Sequence, residues 1–142
     1  MKRSPEVLVI DGQGGGLGRQ LVQTLKKTMP DLPVYAAATN GTAAEAMRKA
    51  GADRAAAGEN AVLVACRKAD IIIGPIGIVI ADSMFGEITP AMALAVAQAD
   101  AKRILIPMNH CDNIVAGVSN TSAGALVTAA AEKLCGILQE EE

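Results

Sequence analysis

The chain is almost without aromatic side chains. Among its 142 residues there are one tyrosine, one phenylalanine and no tryptophan. Proteins that bind single-stranded nucleic acids stack the bases on aromatic rings. A net charge of −2 also gives no basic surface for a phosphate backbone. The sequence therefore predicts that nucleic acids are not partners of this protein.

Long apolar runs and paired cysteines are lacking as well. No segment reaches the roughly 18 uninterrupted apolar residues of a membrane span, so we expect no signal peptide, no anchor and no membrane partner. The three cysteines, Cys66, Cys111 and Cys135, are odd in number and widely spaced. This spacing argues against a disulfide framework and against a compact zinc motif. These features predict a cytoplasmic protein without a metal site.

Hydrophobic residues are abundant, at 51% of the chain, and they are arranged in a repeating order. Apolar strand-like segments alternate with helical segments, which favours parallel strands joined by helical crossovers. Strands are predicted at 7–10, 34–38, 71–73 and 102–107, with a weak edge strand at 52–57, an extension at 78–80 and a last strand at 114–118. Helices are predicted from Gly15 or Gly16 to Pro30, and at 42–50, 61–68, 90–99 and 123–138. The pattern predicts a single domain, residues 1–142, with a three-layer, doubly wound α/β fold of the Rossmann type and a mainly parallel sheet.

Three of these helices carry signals at their N-termini. Thr42 and Glu45 have the spacing of a capping box, in which each side chain bonds the other residue's amide. Asn60 is predicted to cap the third helix. Thr89 is predicted to cap the fourth helix, because Pro90 follows it and proline favours the first helical position.

The first strand ends in a glycine-rich segment, Asp11-Gly12-Gln13-Gly14-Gly15-Gly16-Leu17-Gly18, which we name the glycine turn. The first amides of a helix have no internal partner and carry partial positive charge, so a phosphate placed there is stabilised. Glycine lets a ligand approach the backbone closely. The alternative is a tight strand-to-helix turn with no ligand. Five glycines within residues 12–18 exceed what such a turn needs, which favours ligand binding.

Other candidate ligand contacts follow later strands, at the sheet edge where α/β proteins bind ligands. Asn40 stands where NAD-binding domains carry an acidic residue, and it is equally suited to form a turn. The Gly74-Pro75-Ile76 loop follows the central strand, where it either forms a wall of the pocket or only breaks the strand. Asn109 follows the 102–107 strand. The predicted ligand-binding residues are Asp11, Gly12, Gln13, Gly14, Gly15, Gly16, Gly18, Asn40, Gly74, Pro75, Ile76 and Asn109.

No catalytic residue can be assigned from the sequence. Asn109-His110-Cys111-Asp112 gathers the single histidine with a cysteine and an aspartate, but adjacent residues rarely align for proton transfer. Glu87 is interpreted as part of the electrostatics of the following helix, with a substrate-facing acid as the alternative. The apolar pair Met84-Phe85 is suited to a lid or to a subunit contact.

Four stretches of the sequence resemble an uncharacterised bacterial family, domain of unknown function 3842. They are VIDGQGGGLG, GADRAAAGENAV, ADIIIGPIGIVI with GEITP behind it, and ILIPMNHC, and together they span about residues 6 to 118. The resemblance implies a bacterial cytoplasmic protein. It implies no particular reaction.

A weaker resemblance links the glycine turn to short-chain dehydrogenases. Gly12, Gly16 and Gly18 match the GxxxGxG spacing of that family. Its catalytic tyrosine is followed four residues later by lysine, whereas Tyr35 here is followed by Thr39. The resemblance thus implies a nucleotide site, for which NAD(P) and other nucleotides are candidates, but it leaves the cofactor unassigned and does not carry over hydride transfer.

The sequence therefore predicts a protein that binds a small phosphate-bearing ligand, a nucleotide or dinucleotide, at the glycine turn. Two alternatives remain open. One is an enzyme that acts on a small phosphorylated or carboxylated metabolite through Asp11, Glu87 or Cys111. The other is a non-catalytic assembly or regulatory subunit. A mean hydropathy of +0.30 favours a homodimer under each of these interpretations.

Overall fold

The computed structural model describes residues 3–108, 113–119 and 121–140, and strands alternate with helices along these ranges. The strands are β1 (Val7–Asp11), β2 (Val34–Ala38), β3 (Arg54–Ala57), β4 (Ile71–Pro75) and β5 (Lys102–Ile106). The α-helices are α1 (Gly16–Thr28), α2 (Gly41–Lys49), α3 (Glu59–Lys68), α4 (Pro90–Gln98) and α5 (Ala123–Glu140). A short 3-10 turn, Ile76–Val79, follows β4.

The five strands form one parallel sheet in the order β3-β2-β1-β4-β5. This topology confirms the predicted α/β fold class with a parallel sheet. The chain winds outward from β1 to β3 and then returns to place β4 on the other side of β1. In such sheets the ligand crevice opens at the carboxyl ends of the two strands where the winding reverses. The glycine turn follows one of these strands, β1.

Two apolar cores lie on opposite faces of the sheet, because successive side chains of a strand point to opposite sides. Val7 and Val9 of β1 belong to the core that packs against α1, α2 and α5. Leu8 and Ile10 belong to the core that packs against α3 and α4. All five residues of β1 are buried, as expected of a continuous apolar strand covered on both faces.

Two predicted strands are wrong. Residues 78–80 do not extend β4, because the chain curls into the 3-10 turn, where Ser83 Oγ donates to the Gly77 carbonyl at 2.6 Å and Ile78 becomes fully buried. Residues 114–118 form no strand within the described segment 113–119, and Ile114 is 87% exposed. An apolar run alone therefore does not make a strand here, since neither run has a strand partner in the sheet.

Two of the three predicted helix caps are also wrong. Asn40 rather than Thr42 caps α2, because its Oδ1 accepts from the Ala43 amide at 2.9 Å, and Glu45 instead pairs with Arg48. Gly58, with φ 107°, precedes α3, so Asn60 lies inside that helix. The Thr89 cap is confirmed, since its hydroxyl accepts from the Met92 amide at 3.1 Å.

The most apolar helix is α4, which contains no charged residue. It buries Met92, Ala93 and Val96 against the sheet and leaves Leu94 55% exposed. No helix within the described ranges combines the length and the apolar character needed to cross a bilayer. The apolar residues of the chain thus mainly fill the two cores, and among the described residues the exposed large apolar side chains are Phe85, Leu94, Ile114 and Val118.

Candidate functional site

A pocket of about 290 Å³ opens at the point where the winding of the sheet reverses. Its residues come from the glycine turn after β1, from the end of β4, from the segment after β5 and from the start of α5. They are Asp11, Gly12, Gln13, Gly14, Gly15, Gly16, Leu17, Gln20, Pro75, Met84, Met108 and Ala123. Four of these residues are glycines, which present only backbone to the pocket, and Met84 and Met108 supply apolar walls.

Asp11 stabilises the turn through a hydrogen bond to the start of α1. Its side chain is only 5% exposed, and its Oδ2 accepts from the Gly18 amide at 2.7 Å. Gly18 is the third residue of α1, so the carboxylate serves one of the helix amides that have no internal partner. A negative charge at this end of a helix is also stabilised by the helix dipole. The bond fixes the direction in which the chain leaves β1 and enters α1.

Three glycines of the turn are required by the packing of the protein itself. A Cβ at Gly12 would lie 2.7 Å from Thr39 Oγ1, and a Cβ at Gly18 would lie 2.8 Å from the Cβ of Asp11. A Cβ at Gly15 would lie 2.7 Å from Ala43 Cα, and Gly15 also has a left-handed φ of 74°. These contacts let the turn pass closely over α2 and the end of β2.

The other two glycines of the turn are not required by packing. A Cβ on Gly14 or Gly16 would have no protein atom within 4 Å, and neither residue has a left-handed backbone. Both glycines line the pocket. The open space beside their backbone therefore belongs to the pocket, and a side chain at either position would extend into solvent or into that space.

Free amides accompany this open backbone. Within the part of the chain that the structure describes, the amides of Gly14, Gly16 and Leu17 have no hydrogen-bond acceptor. The Gly15 amide is different, because it donates to the Gly12 carbonyl at 2.9 Å. Gly16 and Leu17 are the first two residues of α1. As far as the described residues are concerned, two helix-terminal amides and one turn amide are thus available to an anion in the pocket.

Glu87 occupies the opposite side of the turn, next to the end of β2. Its Oε1 accepts from the Gln13 amide at 2.8 Å, from Thr39 Oγ1 at 2.6 Å and from Asn40 Nδ2 at 3.0 Å. Burial favours the neutral acid, but the hydrogen bonds from Thr39, Gln13 and Asn40 outweigh it, so the pKa of Glu87 lies below its usual value. The protein's own carboxylate thus takes up one of the turn amides.

Among the remaining predicted ligand residues that the structure describes, Pro75 lines the pocket and Asn40, Gly74 and Ile76 do not. Asn40 is on the Glu87 side, where it caps α2 and where its Nδ2 donates to the Gln13 carbonyl at 2.9 Å. Pro75 lines the pocket, whereas Ile76 lines a smaller cavity beside it. Gly74 is buried against the carbonyl of Ile10. Asn109 lies outside the described residues, as do His110, Cys111 and Asp112.

Several pocket residues were not among the sequence candidates. Gln20 lies one helical turn after Gly16, so the spacing of α1 was a signal for it. Met108 and Ala123 follow β5 and begin α5, which the rule for the carboxyl edge of the sheet would have included. Met84 was predicted to belong to a lid or a subunit contact and was not among the ligand contacts, because nothing in the sequence predicts how the segment after the 3-10 turn folds back. In the described ranges, no cluster of three or more histidine, cysteine, aspartate or glutamate side chains is placed to hold a metal ion.

The protein is thus an α/β protein with a parallel sheet and a glycine turn after its first strand. The model of the family described as Domain of unknown function (DUF3842) matches residues 6–139, so the chain belongs to this family. No curated protein matches the chain. A solved structure that it resembles is a dodecameric FMN-dependent Ubix-like decarboxylase from Escherichia coli O157:H7, with 19% identity over 91% of this chain and 76% of that chain and a TM-score of 0.45.

Proposed function

We propose that this protein binds a small phosphate-bearing ligand, a nucleotide or dinucleotide, in the pocket at the glycine turn. The phosphate would accept hydrogen bonds from the amides of Gly14, Gly16 and Leu17. Pro75, Met84 and Met108 would contact the less polar part of the ligand.

The observation that carries this proposal is the pair of glycines at positions 14 and 16. The fold does not require them, since neither meets a neighbouring atom nor has a left-handed backbone. At a position whose backbone conformation alanine can also adopt, glycine makes a protein about 0.4–1 kcal/mol less stable than alanine does, chiefly because glycine gives the unfolded chain more freedom. A ligand that lies against the backbone at these two positions accounts for this cost, because a Cβ would hold the ligand away from the amides.

Binding rather than catalysis is the function that these contacts support. Asp11 belongs to the turn and Glu87 contacts it. Each carboxylate accepts a hydrogen bond from a backbone amide of the turn or of α1. A general acid or base must instead exchange a proton with the substrate. The carboxylates therefore support the shape of the turn.

The test compares two alanine variants in a binding titration. Wild-type protein and the Gly16→Ala variant are titrated calorimetrically with AMP, NMN, NAD⁺ and inorganic phosphate. At least one of these probes should bind the wild type, and Gly16→Ala should weaken that binding at least tenfold. Thermal unfolding gives a second readout, since a ligand at 100 times its Kd adds about 2.7 kcal/mol of stability.

The matched control is Gly136→Ala. Gly136 is a helical glycine in α5 that likewise has no atom within 4 Å of an added Cβ, and it does not line the pocket. Its substitution should leave the affinity unchanged. Equal affinity of wild type and Gly16→Ala for every probe that binds, or silence of all four probes, would contradict the proposal.

The exposed face of α4 supports a homodimer as the assembly state. Ala91, Leu94 and Gln98 are exposed at helical spacing on a helix without charges, and an uncharged face of this kind suits contact with its own copy. Light scattering should give twice the chain mass for wild type and a monomer for Leu94→Glu. Ala129→Glu, on the exposed side of α5, serves as the control and should remain dimeric.

A further inference from the structure

The two sides of the glycine turn differ in how far they are filled. The side toward β4 and β5 contains the pocket, with Pro75 and Met108 in its lining. The side toward β2 contains the carboxylate of Glu87, which does not line the pocket. With respect to the described residues, a ligand at the free amides can therefore extend toward β4 and β5, whereas the opposite direction meets protein atoms.

On the β2 side, both backbone polar groups of Gln13 form hydrogen bonds. The Gln13 amide donates to Glu87, and the Gln13 carbonyl accepts from Asn40 Nδ2. Asn40 Nδ2 also donates to Glu87, which closes a ring of hydrogen bonds. Gln13 has a φ of 49°, a conformation that non-glycine residues adopt only with support from their surroundings. The ring supplies that support and joins the glycine turn to the end of β2.

The place filled by Glu87 is the place where a dinucleotide would continue. In doubly wound domains the pyrophosphate sits at the first helix and the adjoining ribose is held at the end of the second strand. Here the end of the second strand is Thr39 and Asn40, and both donate to Glu87. The pocket volume of about 290 Å³ also lies at the lower limit of ligand sites, which span about 300–1,000 Å³.

We propose that Glu87 closes the β2 side of the glycine turn, so that the site admits a mononucleotide-sized phosphate ester lying toward β4 and β5 and excludes dinucleotides. The proposal rests on the proposed function for its ligand. Glu87 acts as a specificity-determining residue that fills space and captures the Gln13 amide. The closure itself is a property of the protein without any ligand.

The binding test uses AMP, NMN and NAD⁺, because NAD⁺ contains both mononucleotides. Wild type should bind the better of AMP and NMN at least tenfold more tightly than NAD⁺. In Glu87→Ala the β2 side is open, so this ratio should fall to threefold or less. Glu87→Gln is the matched control. Its side-chain carbonyl can accept the same three hydrogen bonds, and it should keep the wild-type ratio.

Hydrogen exchange of single amides tests the closure without a ligand. The Gln13 amide should exchange at least tenfold more slowly in wild type than in Glu87→Ala, whereas the Gly14 and Gly16 amides should exchange at the same rate in both. Protection of Gln13 together with silence of AMP, NMN, NAD⁺ and inorganic phosphate would overturn the proposed function and leave the closure standing. The two ideas therefore fail separately.

Three results would overturn the closure. The first is NAD⁺ binding to wild type as tightly as the better mononucleotide. The second is equal exchange of the Gln13 amide in wild type and Glu87→Ala. The third is a loss of AMP affinity in Glu87→Ala with phosphate binding unchanged, since this result would make Glu87 a ribose contact.

Discussion

The glycines of one short turn fall into two groups that differ in what surrounds them. Gly12, Gly15 and Gly18 lie against side chains or backbone, so a Cβ at any of them would meet protein atoms at less than 3.0 Å. Gly14 and Gly16 face open space. The first group lets the turn pack onto α2 and the end of β2. The second group leaves part of the turn's backbone uncovered.

A glycine-rich motif thus combines two requirements that the sequence does not separate. All five residues read alike in the chain, and each fits a tight turn or a ligand site equally well. Their surroundings separate them into a crowded group and an open group. The packing of the fold requires glycine in the crowded group, whereas glycine in the open group needs an explanation other than packing. Stability measurements should therefore separate the two groups, and the following substitutions test that division.

The largest effect is expected for Gly15→Ala. A left-handed conformation costs a non-glycine residue about 1–2 kcal/mol, and overpacking typically costs about 1–3 kcal/mol. The free energy of unfolding in urea should fall by about 3 kcal/mol. A loss below 0.5 kcal/mol would show that the turn relaxes freely and would remove Gly15 from the crowded group.

Gly18→Ala should have the next largest effect. The added Cβ would approach both Asp11 Cβ and the flexible Met47 Sδ, so part of the strain can be relieved by movement of Met47. We expect a loss of about 1–3 kcal/mol in the same urea titration. The Met47→Ala background should reduce this loss, because the flexible neighbour is then absent. An equal loss in both backgrounds would assign the strain to Asp11 alone.

Glu87→Gln should have a smaller effect that depends on pH. Hydrogen bonds to a charged acceptor contribute about 1 kcal/mol more than neutral ones, so wild type should be the more stable protein at pH 7. The pKa of Glu87 is lowered by folding, despite the opposing effect of burial, through bonds from Thr39, Gln13 and Asn40. The stabilisation is therefore complete above the unfolded-state pKa of glutamate, about 4.3.

The advantage of wild type should then shrink as the pH falls through the lowered pKa of the folded state, since protonation removes the charge. Urea titrations of both proteins between pH 7 and pH 3 measure this change. A difference that stays constant over this range would show that the charge of Glu87 does not contribute to the turn.

The smallest effect is expected for Gly16→Ala in the absence of ligand. Alanine is the better helix former by about 1 kcal/mol, and the added Cβ meets no protein atom. The free energy of unfolding should stay within about 0.5 kcal/mol of wild type or rise by up to about 1 kcal/mol. A loss above 1 kcal/mol would move Gly16 into the crowded group and weaken the case for a ligand.

The fold could be predicted from the sequence because its signals are local and repeated. Val7 to Ile10 and Ile71 to Ile73 are apolar runs bounded by acidic residues and glycine, and they became β1 and β4. The wrong strands at 78–80 and 114–118 show the limit of this signal, since a strand also needs a neighbour in the sheet. Only the three-dimensional arrangement decides which apolar runs find one.

The site could be predicted only in part. The glycine turn was found because its position after a strand gives its composition a meaning. Glu87 was interpreted as helix electrostatics, whereas its carboxylate meets a turn 74 residues earlier in the chain. No pattern within one segment can predict a contact between two distant loops. The sequence left Asn40 either as a ribose contact or as a turn residue, and in the structure its side chain caps α2.

The segment after the 3-10 turn gives the protein a natural place for an optical reporter. Asp82, Met84 and Phe85 have left-handed backbones, and Phe85 is 97% exposed beside Met84, which lines the pocket. Since the chain contains no tryptophan, Phe85→Trp would introduce a single indole without disturbing either core. A change in its emission during titration with AMP, NMN or NAD⁺ would then test the proposed binding beside Met84, with no label attached to the protein or to the probe.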